Sequence, residues 1–115
     1  MTVGQFREMV LAMPEAVEGE HHGHPDFRVR KKIFATLWPA QGRGVLMLPL
    51  LEHAAALQRH PEAYCSLGKP RLRGVTGVML EHADPEDVRE LAVEAWCSKA
   101  PPELVRAFLD SERRG

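Results

Sequence analysis

Cysteine is scarce in this 115-residue chain: Cys65 and Cys97 stand alone, with neither a CxxC pair nor a paired spacing. A disulfide framework is therefore not expected, and both thiols read as small, partly buried hydrophobes. Long apolar runs are missing as well; none approaches the roughly 18 residues that a membrane-spanning helix needs. The opening stretch, Met1 to Met13, is amphipathic and carries Arg7 and Glu8, where a signal peptide would show an unbroken apolar core. These absences predict a cytoplasmic protein without membrane contact. No serine lies in a GxSxG setting, and no GxGxxG or Walker-type glycine loop occurs. The usual nucleophile elbow and phosphate cradles are thus lacking, so neither an enzyme nor a bound cofactor is expected. Aromatic residues make up only 6% of the chain, which leaves few rings for stacking once a core is filled.

What is present fits one globular domain over residues 1–115. Hydrophobic residues are 44% and charged residues 27%, and a chain of this size buries enough surface for one core. Thr2 and Gln5 form a capping-box pattern ahead of Phe6, Met9, Val10 and Met13 at helical spacing, with Pro14 closing that helix. Glu15 to Pro25 reads as a loop. From Asp26 the period becomes two: Phe27 and Val29 alternate with Arg28 and Arg30, Lys31 and Lys32 read as a turn, and Ile33 to Trp38 forms a second strand. Val45 to Leu48 is a third strand, Leu50 to His60 a helix, Cys65 to Gly77 an irregular arm and Thr76 to Glu81 a fourth strand. Asp84 and Pro85 open a helix whose buried stripe is Val88, Leu91, Ala92, Ala95 and Trp96. Leu104, Val105, Phe108 and Leu109 mark a last helix, followed by a polar tail from Ser111. The order α-β-β-β-α-β-α-α predicts an α+β domain, an antiparallel sheet of about four strands with helices mainly on one side.

Glu18 to Leu37 reads EGEHHGHPDFRVRKKIFATL, an acidic His-Pro loop followed by a hairpin. This segment resembles the signature of the MmcQ/YjbR family. The opening TVGQFREMVLAMP and the closing DPEDVRELAVEAWCSKAPPELV resemble the same family, so the similarity covers nearly the whole chain. The resemblance implies a compact α+β fold with a curved antiparallel sheet, compared with frataxin-like proteins and with the double-wing domain of a phage transcription factor. It implies DNA binding through that fold comparison alone. Many relatives carry an aromatic before the fourth strand, where this chain has Arg73-Gly74-Val75-Thr76.

Charge is unevenly laid out. Phe27 to Val45 holds Arg28, Arg30, Lys31, Lys32 and Arg43 and no acid; Cys65 to Leu80 holds Lys69, Arg71 and Arg73 and no acid. All sixteen acids lie elsewhere. Alternation places Arg28 and Arg30 together on the open face of the hairpin, a footprint suited to phosphates, with Trp38 as the one ring placed to stack on a base. DNA is accordingly the leading partner. A solvated strand face, with its arginines paired to helix carboxylates, explains the same pattern. His21, His22 and His24, beside Glu20 and Asp26, are metal-ligand types without a helical spacing, so no metal site is expected. Two further readings stand: a protein-interaction module, and a small-molecule or metal-binding accessory protein. Monomer and homodimer are both open.

Overall fold

The computed structural model describes residues 1–68 and 74–114. Helix α1 (Val3–Leu11) starts at the reciprocal capping box of Thr2 and Gln5. Four strands follow as a meander: β1 (Val17–His21), β2 (His24–Val29), β3 (Lys32–Trp38) and β4 (Arg43–Met47). The chain then passes through α2 (Leu50–Arg59) to β5 (Tyr64–Ser66) at the far edge and returns as β6 (Val75–Met79). Helices α3 (Pro85–Lys99) and α4 (Pro102–Arg114) complete it. All pairings are antiparallel in the order β1-β2-β3-β4-β6-β5. The α+β class is as the sequence predicts, but the sheet has six strands where about four were expected.

The two added strands are those with the least hydrophobic pattern. Residues read as a loop, Glu15 to Pro25, contain β1 and the start of β2, joined by a two-residue turn in which His22 and Gly23 both take positive φ. Such turns match the twist of the paired strands. β5 is three residues long and lies in the arm read as irregular. The β2–β3 turn also differs: Arg30 and Lys31, with φ of 49° and 71°, form the two-residue loop, and Lys32 is already in β3. The C-terminal segment read as a polar tail is helical through Arg114, its Glu112 accepting from Arg89 at 2.8 Å.

Helices α1, α2 and α3 cover one face of the sheet, and α4 packs on α3 through Phe108 against Trp96. The core joins Phe6 and Val10 of α1 to Phe27, Val29, Phe34, Leu37, Leu46 and Val78 of the sheet. The predicted α3 stripe of Val88, Leu91, Ala92, Ala95 and Trp96 is buried throughout. Helix α1 approaches the sheet closely because position 44 has no side chain: a Cβ there would stand 2.6 Å from the Phe6 ring. At Phe27/Arg28 the pairing slips, Phe27 facing Ala35 and Arg28 facing Ile33, so Phe34 is an extra residue on β3 and both Phe34 and Ala35 are buried. No helix among the described residues is long and apolar enough to cross a membrane.

Candidate binding surface on the open sheet face

The uncovered face follows from register, since directly paired residues point the same way. It carries Gly19 and His21 from β1, His24, Asp26 and Arg28 from β2, Thr36 and Trp38 from β3, and Arg43, Val45 and Met47 from β4. Asp26 is the single carboxylate that these strands turn to this side, and it is fully buried. Arg28, two residues on and therefore on the same face, grips it with both arms: Nε donates to Oδ1 and Nη2 to Oδ2, each at 2.9 Å. The bonds to Asp26 push the Arg28 guanidinium further above its ordinary pKa. Gly19, opposite Asp26, leaves room for the pair; a Cβ there would lie 2.9 Å from Asp26 Oδ1. Arg28 is thus on the predicted face, but its charge is matched by its own neighbour.

Arg30 is not on this face. The turn begins at Arg30 and takes its side chain out of the alternation, to Glu15 beyond α1, with Nε at 2.6 Å from Oε1 and Nη2 at 3.1 Å from Oε2. That bond and the positive charge hold the Glu15 carboxyl below its ordinary value. Arg7 makes a similar bond to Glu18 at 2.6 Å. The expectation that Arg28 and Arg30 share the open face is therefore corrected for Arg30, and both are ion-paired, Arg28 to Asp26 and Arg30 to Glu15. Lys31 and Lys32 are exposed at the hairpin tip, and neither joins an ion pair among the described residues. Lys69, Arg71 and Arg73 lie outside the described residues.

Trp38 is half-buried at the opposite end of the hairpin. Its neighbour strands supply one partner each: the His24 imidazole stacks on the indole with centroids 3.7 Å apart, and the Arg43 guanidinium lies 5.5 Å from the ring centroid. Arg43 also donates through Nη2 to Gln41 Oε1, while its Nε, shielded from solvent, has no acceptor among the described residues. The flat faces of the indole are taken, so a base cannot stack there as the sequence suggested without displacing a neighbour. Two clefts flank the His24–Trp38 stack. One of about 310 Å³ runs between the Gly23 turn and the short helical turn Pro39–Gln41. The other, about 170 Å³, is lined by His21, His22, His24, Thr36 and Trp38. Sequence reasoning missed His24 and Gln41 as members of this site. His24 was readable, since it precedes Asp26 by two and so shares its face.

The three histidines border one cleft without forming a ligand set among the described residues. His21 and His22 meet edge to face at 4.1 Å, while His24 turns to Trp38. Among the described residues, no group of three or more His, Cys, Asp or Glu side chains is arranged to hold a metal ion. Cys97 is raised in pKa by burial and by Glu94, the opposite of an activated thiol.

The arrangement can be set beside known proteins. No curated protein matches the chain. The crystal structure of Deinococcus radiodurans protein DR2400, a DUF419 domain, superposes with a TM-score of 0.69 at 18% identity, over 83% of this chain and 75% of that one. At that identity the likeness concerns the fold. A family model described as YjbR matches residues 11–98, which include the whole β1–β4 meander and the Trp38 surface. The chain belongs to the YjbR family.

Proposed function

We propose that this domain is a binding module, not an enzyme, and that its open sheet face takes nucleic acid in single-stranded form. The observation that carries the reading is the charge state of that face. Its one carboxylate from β1–β4, Asp26, is held by Arg28, while Arg43 on this face, and Lys31 and Lys32 at the hairpin tip on its edge, have no carboxylate partner among the described residues. Unpaired cations at the tip of the β2–β3 hairpin and on β4 suit the phosphates of an unpaired strand laid across the sheet.

Three phosphate contacts imply a logarithmic salt slope of about −2, at roughly 0.7 per contact on single strands. Anisotropy of a labelled single-stranded oligonucleotide at low salt measures this directly. Binding in the range of about 1–100 µM is expected, as for other contacts dominated by phosphates. Arg43→Ala and the Lys31→Ala/Lys32→Ala pair should each weaken it, whereas Arg30→Ala, which only breaks the Glu15 pair, should leave it unchanged. Absence of binding across that range, or equal damage from Arg30→Ala and Arg43→Ala, rejects the reading.

A further inference from the structure

We infer that the larger cleft beside Trp38 is a pocket for a planar heteroaromatic ring whose edge offers hydrogen-bond acceptors, guanine being the nucleobase that fits best. The inference rests on the nucleic-acid reading of the same face for its choice of a nucleobase. At about 310 Å³ the cleft is at the lower end of the roughly 300–1,000 Å³ found for small-molecule sites. Its walls are ring and hydrocarbon: Trp38 and His24 on one side, Pro39 and Ala40 on the other, with Gly23 at the rim. Gly23 has nothing within 4 Å of where a Cβ would stand, so the rim is open to an entering ring.

Besides the ring nitrogens of His24 and Trp38, the cleft is lined by one polar side chain, Gln41, and the orientation of its amide is fixed by chemistry. Arginine can only donate, so the bond from Arg43 commits the Gln41 oxygen to the guanidinium. The Gln41 NH2 group then points its donors elsewhere, and no protein acceptor takes them among the described residues. Gln41 is exposed, so a ring that brings acceptors would take donors that otherwise face water. The Hoogsteen edge of guanine presents two, O6 and N7; that of adenine places a donor beside its one acceptor. Arg43 adds a second mark of an incomplete site, because its shielded Nε–H lacks an acceptor. A phosphate carried by the ring's sugar would bring oxygens to the same guanidinium.

The test uses the whole chain labelled with nitrogen-15, and follows the Trp38 indole N–H and the Gln41 side-chain amide by NMR. Guanosine monophosphate should move both signals to saturation, adenosine monophosphate should bind about tenfold more weakly, and ribose 5-phosphate should move neither. Gln41→Glu, which replaces the donors by a carboxylate on an exposed turn, should weaken the guanine nucleotide at least tenfold, with the rest of the spectrum intact. If millimolar guanosine monophosphate leaves the Gln41 amide unmoved, or if Gln41→Glu binds it equally well, the inference is overturned. Oligonucleotide binding with inert nucleotides would overturn the pocket while the wider face stands. Nucleotide binding without oligonucleotide binding would uphold the pocket and remove the wider reading.

Discussion

Replacing Gly44 by alanine tests the contact that sets α1 on the sheet. The added Cβ would stand 2.6 Å from Cε2 and Cζ of Phe6 and 3.0 Å from Cδ2. Carbon atoms settle at about 3.5–4.0 Å, so ring and strand must separate by roughly 1 Å. Phe6 is fully buried among core side chains, and Gly44 pairs with both Leu37 and Val78, which leaves neither partner an easy direction to move. Overpacking of this kind costs about 1–3 kcal/mol. Removing a glycine from a strand interior returns about 0.5–1 kcal/mol. The net loss should be about 1–2 kcal/mol, a drop in Tm on the order of 4–8 °C at this chain length. Urea unfolding followed by circular dichroism reads it, with Phe6→Leu made both in the parent and in the Gly44→Ala protein. The smaller side chain at position 6 should cost less in the Gly44→Ala background than in the parent, giving a coupling energy of about 1 kcal/mol. A Gly44→Ala protein as stable as the parent, or additive effects in the cycle, would refute the close approach as the determinant.

Three further outcomes are expected. Burial and the hydrogen bond to Asp87 raise the Tyr64 phenol above its ordinary 10.0, so above that pH the unfolded chain loses a proton that the folded chain keeps. The associated stability is whole below pH 10 and declines by about 1.4 kcal/mol per unit above it; Tyr64→Phe should flatten that alkaline decline in urea titrations. Asp26→Asn removes the charge that matches Arg28, and should lower the urea midpoint while steepening the salt dependence of oligonucleotide binding by about one contact. Because burial, with Glu94, raises the Cys97 thiol, iodoacetamide should label it more slowly at pH 8 than a free cysteine, and Glu94→Gln should narrow the gap.

Much of the fold was legible because its buried faces are written in ordinary periods. Helix α3 shows its stripe at helical spacing, and Phe27 and Val29 show theirs at period two. Strand β1 could not be seen that way. It is an edge strand whose residues are exposed or half-exposed on both faces, so Val-Glu-Glu-His about one glycine carries no apolar rhythm. Its one signal was the His22-Gly23 pair, a two-residue turn of the kind that joins strands. At the site, alternation placed Arg28 correctly and failed at Arg30, where a positive φ ends the strand one residue earlier than the pattern implied. The neutralisation of Arg28 was also within reach: Asp26 stands two residues before it, and period two puts them side by side. By contrast, the Glu15–Arg30 pair and the approach of Arg43 to Trp38 depend on elements meeting in space, which no local spacing announces.

Phe34 occupies an unusual place in the strand arithmetic. Because Phe27 faces Ala35 and Arg28 faces Ile33, the ladder on either side of Phe34 is already in step. Excising that one residue would leave the lysine tip and the Trp38 end each with the same partners and the same outlook; losing Ala35 would do the same, with Phe34 taking its place opposite Phe27. The strand therefore tolerates a change of length at a single point, and what it would forfeit there is a ring's worth of filling and the local bend.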